Sequence, residues 1–153
     1  MDFDPSRIRR GEALAGASAL TLLVLMFVLH WYGPRADGAR PVSSMTGWEA
    51  LTGWRWAALL TILVALCLVF FQATRRAPAL PVALSVVVTW LALLSALWLG
   101  LRVLIDHPPG QQIGALLALF SAIGIFCGGY LSLREEGTLE RDQPGAIRTV
   151  KLE

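Results

Sequence analysis

Four polar side chains stand out in a largely apolar chain: His30, Arg55, Arg102 and Asp106. Each lies at the end of a long hydrophobic run, and Trp31, Trp54 and Trp98 flank them. An arginine fork suits carboxylate or phosphate oxygens, and a carboxylate at i, i+4 is within pairing distance of it on a helix. Together these residues would form a polar pocket walled by indoles. It would take an anionic headgroup, a polar small molecule or a segment of a partner protein. A plainer account uses the same residues. The arginines would snorkel to headgroups, Asp106 would cap a turn, and the indoles would anchor at the membrane surface. Enzyme chemistry asks for more than either account supplies. There is no second carboxylate near Asp106, no Ser/His/Asp order and no metal-ligand spacing, and His107 falls in a proline turn. No catalytic residue, metal or cofactor is therefore expected. Cys67 and Cys127 lie inside apolar runs and read as small hydrophobes rather than disulfide partners.

The elements that must position these residues are four apolar stretches, roughly 13–32, 56–73, 79–104 and 113–133. A hydrocarbon core about 30 Å thick needs roughly 20 helical residues, and all four runs meet that length. The chain is 56% hydrophobic and 16% charged, with a mean hydropathy of +0.60, against about 25% charged in ordinary soluble domains. No Asp, Glu, Lys or Arg lies between Ala13 and Tyr32, Trp56 and Thr74, Ala77 and Leu101, or Gln111 and Leu133. Soluble helices would carry a polar stripe there. The expected fold is all-α: an antiparallel bundle of four transmembrane helices over 1–133, followed by a flexible tail over 134–153. Arginines before the first run resemble a signal peptide, but the run is too long for a cleaved one. The silent span interiors also argue against an ion or proton pathway within one protomer, since such pathways show intramembrane ionisable groups.

Basic residues orient the bundle. Arg7, Arg9, Arg10, Arg75, Arg76, Arg134, Arg141, Arg148 and Lys151 fall on one side, and only Arg35, Arg40, Arg55 and Arg102 on the other. Positive residues in short loops stay cytoplasmic, so both termini are expected inside. Counted along ideal helices from that side, His30, Arg55 and Arg102 all rise about 26–31 Å, which places them level at the outer mouth. Asp106 would stand one turn above Arg102, held over the bundle by Pro108-Pro109. The net charge of +2 suggests no nucleic-acid partner.

Lipid tails give helices no hydrophobic reason to associate, so close packing depends on small residues. Gly124 and Gly128 have GxxxG spacing, and Gly114 and Ala118 continue the small stripe toward the start of the fourth span. The stripe would pack inside the bundle or form an oligomer interface. Short links at 74–78 and 106–112 force neighbours antiparallel, so spans two, three and four should pack in sequence with span one closing the ring.

Arg9–Glu12 (RRGE), Trp31–Gly33 (WYG), Gly47–Ala50 (GWEA), the Arg102–Gly110 turn (RVLIDHPPG) and Gly128–Glu136 (GGYLSLREE) form one pattern. It resembles a group of small four-span membrane proteins frequent in actinobacteria, over nearly the whole chain, with His107 inserted in the otherwise similar Asp-Pro-Pro-Gly turn. The resemblance implies a bacterial inner-membrane location and brings no activity with it. A superficial likeness to claudin-like proteins fails for want of the cysteine pair in the first loop. The function expected is a non-enzymatic structural or accessory membrane protein that associates laterally with lipids, its own copies or another membrane protein. The alternative is a lipid- or small-ligand-binding protein using the outer pocket.

Overall fold

The computed structural model describes residues 8–33, 44–74, 79–106 and 110–141, with the main chain alone at 79–83 and 136–141. Four long helices dominate: α1 (Arg10–Phe27), α3 (Arg55–Thr74), α4 (Ala79–Gly100) and α5 (Ile113–Arg141). A short helix, α2 (Gly47–Ala50), precedes α3, and a five-residue π-helical segment (Leu101–Ile105) prolongs α4. All four long helices are long and apolar enough to span a membrane. This is an all-α four-helix bundle. The link at 75–78, the proline turn at 107–109, most of the first loop and the end of the tail lie outside the described residues. The tail differs from expectation at its start, because α5 continues as helix to Arg141.

Which residues turn inward explains the packing. The buried seams are Ala15, Ala19, Leu22 and Met26 on α1; Ala58, Ile62, Ala65 and Leu68 on α3; Ser85, Val88, Ala92, Ser95 and Leu99 on α4; and Ala115, Ala118, Ala122 and Ile125 on α5. They recur at helical spacing and are small for a core. The bulky side chains stand outside, including Leu20, Phe70, Leu97 and Phe120. A soluble bundle would bury the large and expose the polar. In lipid that gradient vanishes, and small residues are selected inward because they let backbones approach. Each helix touches two neighbours, in the ring α1–α3–α4–α5, so every adjacent pair is antiparallel.

Span one ends early. The expected helix over 13–32 stops at Phe27, and His30–Tyr32 forms a strand, β1, paired antiparallel with β2 (Met45–Thr46). On its other side Tyr32 bridges Gln111, Gln112 N–H donates to the Trp31 carbonyl at 2.8 Å, and Gly33 N–H donates to Gly110 O at 2.6 Å. Gly110 takes a left-handed φ of 84°, open to glycine at little steric cost. β1 therefore lies across one end of the bundle as the middle of a small lid. Its main-chain groups find partners in the lid instead of in a helix, and that pairing ends α1 where no proline or glycine does. α2 is capped by Thr46, whose N–H is taken by the Glu49 carboxylate at 3.0 Å, a reciprocal N-terminal cap. This is the capped end; the opposite one, where α1 begins and α5 ends, is the terminal end.

Candidate functional site

Trp31 is the keystone of the capped end. It is 1% exposed, and its indole Nε1 donates to the Leu25 carbonyl at 2.9 Å. That carbonyl belongs to the last turn of α1, where helical N–H donors run out. Two glycines make the slot. A methyl group on Gly47 would strike the indole Cζ2 and Nε1 at 2.7 Å, and one on Gly114 would meet the His30 carbonyl at 2.6 Å and the Trp31 Cδ1 at 3.2 Å. Trp31 thus fills the bundle and walls no pocket, contrary to the expectation. An indole prefers the headgroup level only while its N–H lacks a protein acceptor, and here the early end of α1 supplies one. His30 is exposed in β1, so the helical height assigned to it does not apply.

The remaining predicted residues divide into two groups. In the first, Arg55 heads α3 with its guanidinium over Trp48 at 5.2 Å and Trp56 at 5.9 Å. Phe27 stacks on Trp48 at 5.2 Å, and Trp48 meets Trp56 edge-on at 5.3 Å. Beside them Trp54 stacks on Trp98 at 5.0 Å. The cleft among Leu22, Leu51, Trp54, Ala58, Ser95, Trp98 and Leu99 holds about 10 Å³, space for roughly one water. The two indoles close on each other rather than hold a cavity open. Below them Thr61 and Ser95 share a hydroxyl hydrogen bond of 2.9 Å across α3 and α4.

In the second group, the π-helical segment turns Arg102 onto Tyr32. Asp106 N–H donates to the Leu101 carbonyl at 3.0 Å, five residues back. The wider turn breaks the i, i+4 alignment that would have stacked Asp106 on Arg102, and among the described residues no ion pair joins the two. Arg102 instead lies near enough to the Tyr32 phenol for its charge to act on it. Burial pushes the Tyr32 pKa above its ordinary value, the Arg102 charge pulls it partly back, and the nearby Asp106 carboxylate adds to the rise. Tyr32 and Gln111 were absent from the predicted site. Their signal was the strand that seats Tyr32 opposite Gln111, which apolar periodicity hides.

The helix-packing residues lie within the bundle. Any side chain on Gly128 would collide with the main chain of Ala15 and with the Gly11 carbonyl at 2.7 Å, and one on Gly124 would strike the Ser18 hydroxyl. Both glycines face α1. Ala118 is fully buried, and Gly114 underlies the lid. At the terminal end Glu12 is 0% exposed, and its Oε2 accepts the Arg9 N–H at 2.9 Å. A carboxylate in the first turn of a helix complements the dipole. Ser85 and Ser132 hydroxyls approach to 3.3 Å across α4 and α5 at the same end. Among the described residues no cluster of His, Cys, Asp or Glu is placed to hold a metal, and Cys67 and Cys127 are exposed free thiols.

These features define a multi-pass four-helix membrane protein with a stranded lid. No protein-family model, curated protein or solved structure matches the chain.

Proposed function

We propose that this is a non-enzymatic structural or accessory protein of a bacterial inner membrane, acting by lateral association with its own copies or with another membrane protein. One observation carries the reading. Trp90 stands 62% exposed midway along α4, beside exposed Val86, Val87 and Leu94. Indoles favour the membrane surface over the hydrocarbon middle, and a neighbouring helix offers this one better contacts than acyl chains. The inward seams support the same reading, because packing consumes them and leaves the outer faces as working surface. Gly124 and Gly128 are already used by α1, so association runs through bulky side chains rather than the glycine stripe. Native mass spectrometry from mild detergent should find assemblies larger than the protomer, and Trp90→Ala should shift them toward the single chain. A strictly monomeric wild type, in detergent and in nanodiscs alike, would end association between its own copies.

Both termini are proposed to be cytoplasmic, a reading supported by the distribution of basic residues. In a Cys67→Ser/Cys127→Ser background, Ser44→Cys should label with a membrane-impermeant reagent on intact cells and Thr138→Cys should not. The opposite pattern would invert the topology.

A further inference from the structure

We propose that Arg55, braced against Trp48 and Trp56, is a surface station for the phosphate of an anionic phospholipid of the phosphatidylglycerol type, in the leaflet at the capped end. The inference goes beyond the lateral association proposed above and does not depend on it.

The guanidinium is fixed in place but unspent. Its carbon lies 5.2 Å from the Trp48 ring centre and 5.9 Å from that of Trp56. Phe27 of α1 stacks on Trp48, and Trp48 meets Trp56 edge-on, so three helices hold the cation. Among the described residues no carboxylate comes within ion-pair reach of Arg55, and no acceptor takes its side-chain N–H groups. The acid closest to it in sequence, Glu49, is engaged by the Thr46 N–H and hydroxyl. Nε is enclosed and has no part in the station. The residue as a whole is only half-buried, and its terminal amino groups stay at the surface. An arginine held by rings alone keeps its fork free, and that fork matches two oxygens of a phosphate. Bracing has already removed much of its rotamer freedom, so less is lost on binding. The ligand meets an open shelf, and no cavity has to admit it.

The surroundings of the cation point to a lipid rather than a soluble anion. Phe27 and Trp56 are exposed, and so are Val24 and Leu60, one turn further into the spans of α1 and α3. A phosphate that sits on Arg55 with acyl chains along this wall covers both. Charge then selects the headgroup. One uncompensated cation complements a lipid with a net negative charge and offers an ammonium nothing to pair with. Indole faces would suit a choline group if they were empty, but Arg55 occupies them.

The full-length protein, delipidated in mild detergent, is titrated with dioleoyl phosphatidylglycerol, phosphatidylethanolamine and phosphatidylcholine, and bound lipid is counted by native mass spectrometry. Phosphatidylglycerol should bind about tenfold more tightly than the other two, the equivalent of about 1.4 kcal/mol. Arg55→Gln should bring it down to their level without lowering the melting temperature. Arg55→Lys keeps the charge but loses the fork, and should bind phosphatidylglycerol about threefold more weakly. Arg102→Gln removes the other described cation of the capped end and should leave the preference intact. Equal affinities of the wild type for the three lipids overturn the proposal, and that comparison needs no variant to fold. A preference that survives Arg55→Gln, or that vanishes with Arg102→Gln, also overturns it, because diffuse charge would then be the cause. An Arg55→Lys variant that binds like the wild type overturns the two-oxygen grip. Soluble glycerol phosphate should not displace the lipid at equal concentration; if it does, the lipid is overturned as the source.

Discussion

Trp31 and Gly128 secure the two ends of the bundle by opposite means. At the capped end the largest fully buried side chain among the described residues is driven into a slot cut by Gly47 and Gly114. At the terminal end α1 and α5 touch through main chain, because Gly11, Ala15 and Gly128 put almost nothing between them. Both contacts need glycine, yet one uses it to admit bulk and the other to dispense with it. The lesson is that a bundle in lipid must gain its cohesion from close contact itself, whether a side chain or a backbone makes it. A knob in a slot can be shortened step by step; a backbone contact tolerates no addition at all.

The largest test removes the knob. Trp31→Ala should lower stability by about 3–5 kcal/mol, seen as a fall in the detergent melting temperature. Trp31→Phe keeps most of the volume but strands the Leu25 carbonyl, and should cost about 1–3 kcal/mol. If the two variants melt alike, the hydrogen bond outweighs the packing and the slot matters less than argued. Next comes the backbone contact. Gly128→Leu should cost about 1–3 kcal/mol or slightly more. Gly124→Leu should cost less, since the Ser18 side chain must move there rather than main chain. The reverse order would mean that α1 crosses α5 at a different height.

Smaller effects sharpen the picture. Ser95→Ala removes the hydroxyl bridge to Thr61, and such interhelical bonds average about 0.6 kcal/mol. A shift much larger than that would make α3–α4 a third principal fastening. The smallest signal is spectroscopic. In a Tyr130→Phe background Tyr32 is the sole phenol, and its phenolate absorbance should appear above the ordinary value of 10.0. Arg102→Gln should push it higher still, because the cation favours the charged form. The sign for stability follows: the contribution is full below the ordinary phenol pKa and is lost as pH climbs from there through the raised folded value. A midpoint at the ordinary value would place Tyr32 in solvent, and one below it would mean that the Arg102 charge outweighs burial.

The spans were legible from the sequence because lipid demands about 20 apolar residues whatever the protein does. Their order in the ring followed from short links, and Gly124 and Gly128 marked a face that does meet another helix. The end of α1 was not legible. Leu29, Trp31 and Tyr32 continue the apolar run without a proline or glycine until Gly33, and what stops the helix is pairing with residues far along the chain. The same blindness displaced Asp106. α-Helical spacing stacks it on Arg102, whereas the π-helical turn carries it away, and nothing in Leu-Arg-Val-Leu-Ile announces the wider turn. Nothing in the sequence marks Glu12 for burial; that depends on how closely α5 approaches through Gly128. Interactions distant in sequence decided the end of α1 and the burial of Glu12.

Ending α1 at Phe27 leaves the bundle with one short side. Its 18 residues rise about 27 Å, using about 1.5 Å for each, whereas the apolar window of α5 runs over 23 residues. A single bilayer cannot match both in upright posture. Either α5 leans across α1 or the leaflets draw together beside α1, and each costs a fraction of a kcal/mol per ångström of mismatch. The protein therefore presents the bilayer with sides of unequal length, and acyl-chain length becomes a variable to which its placement should respond.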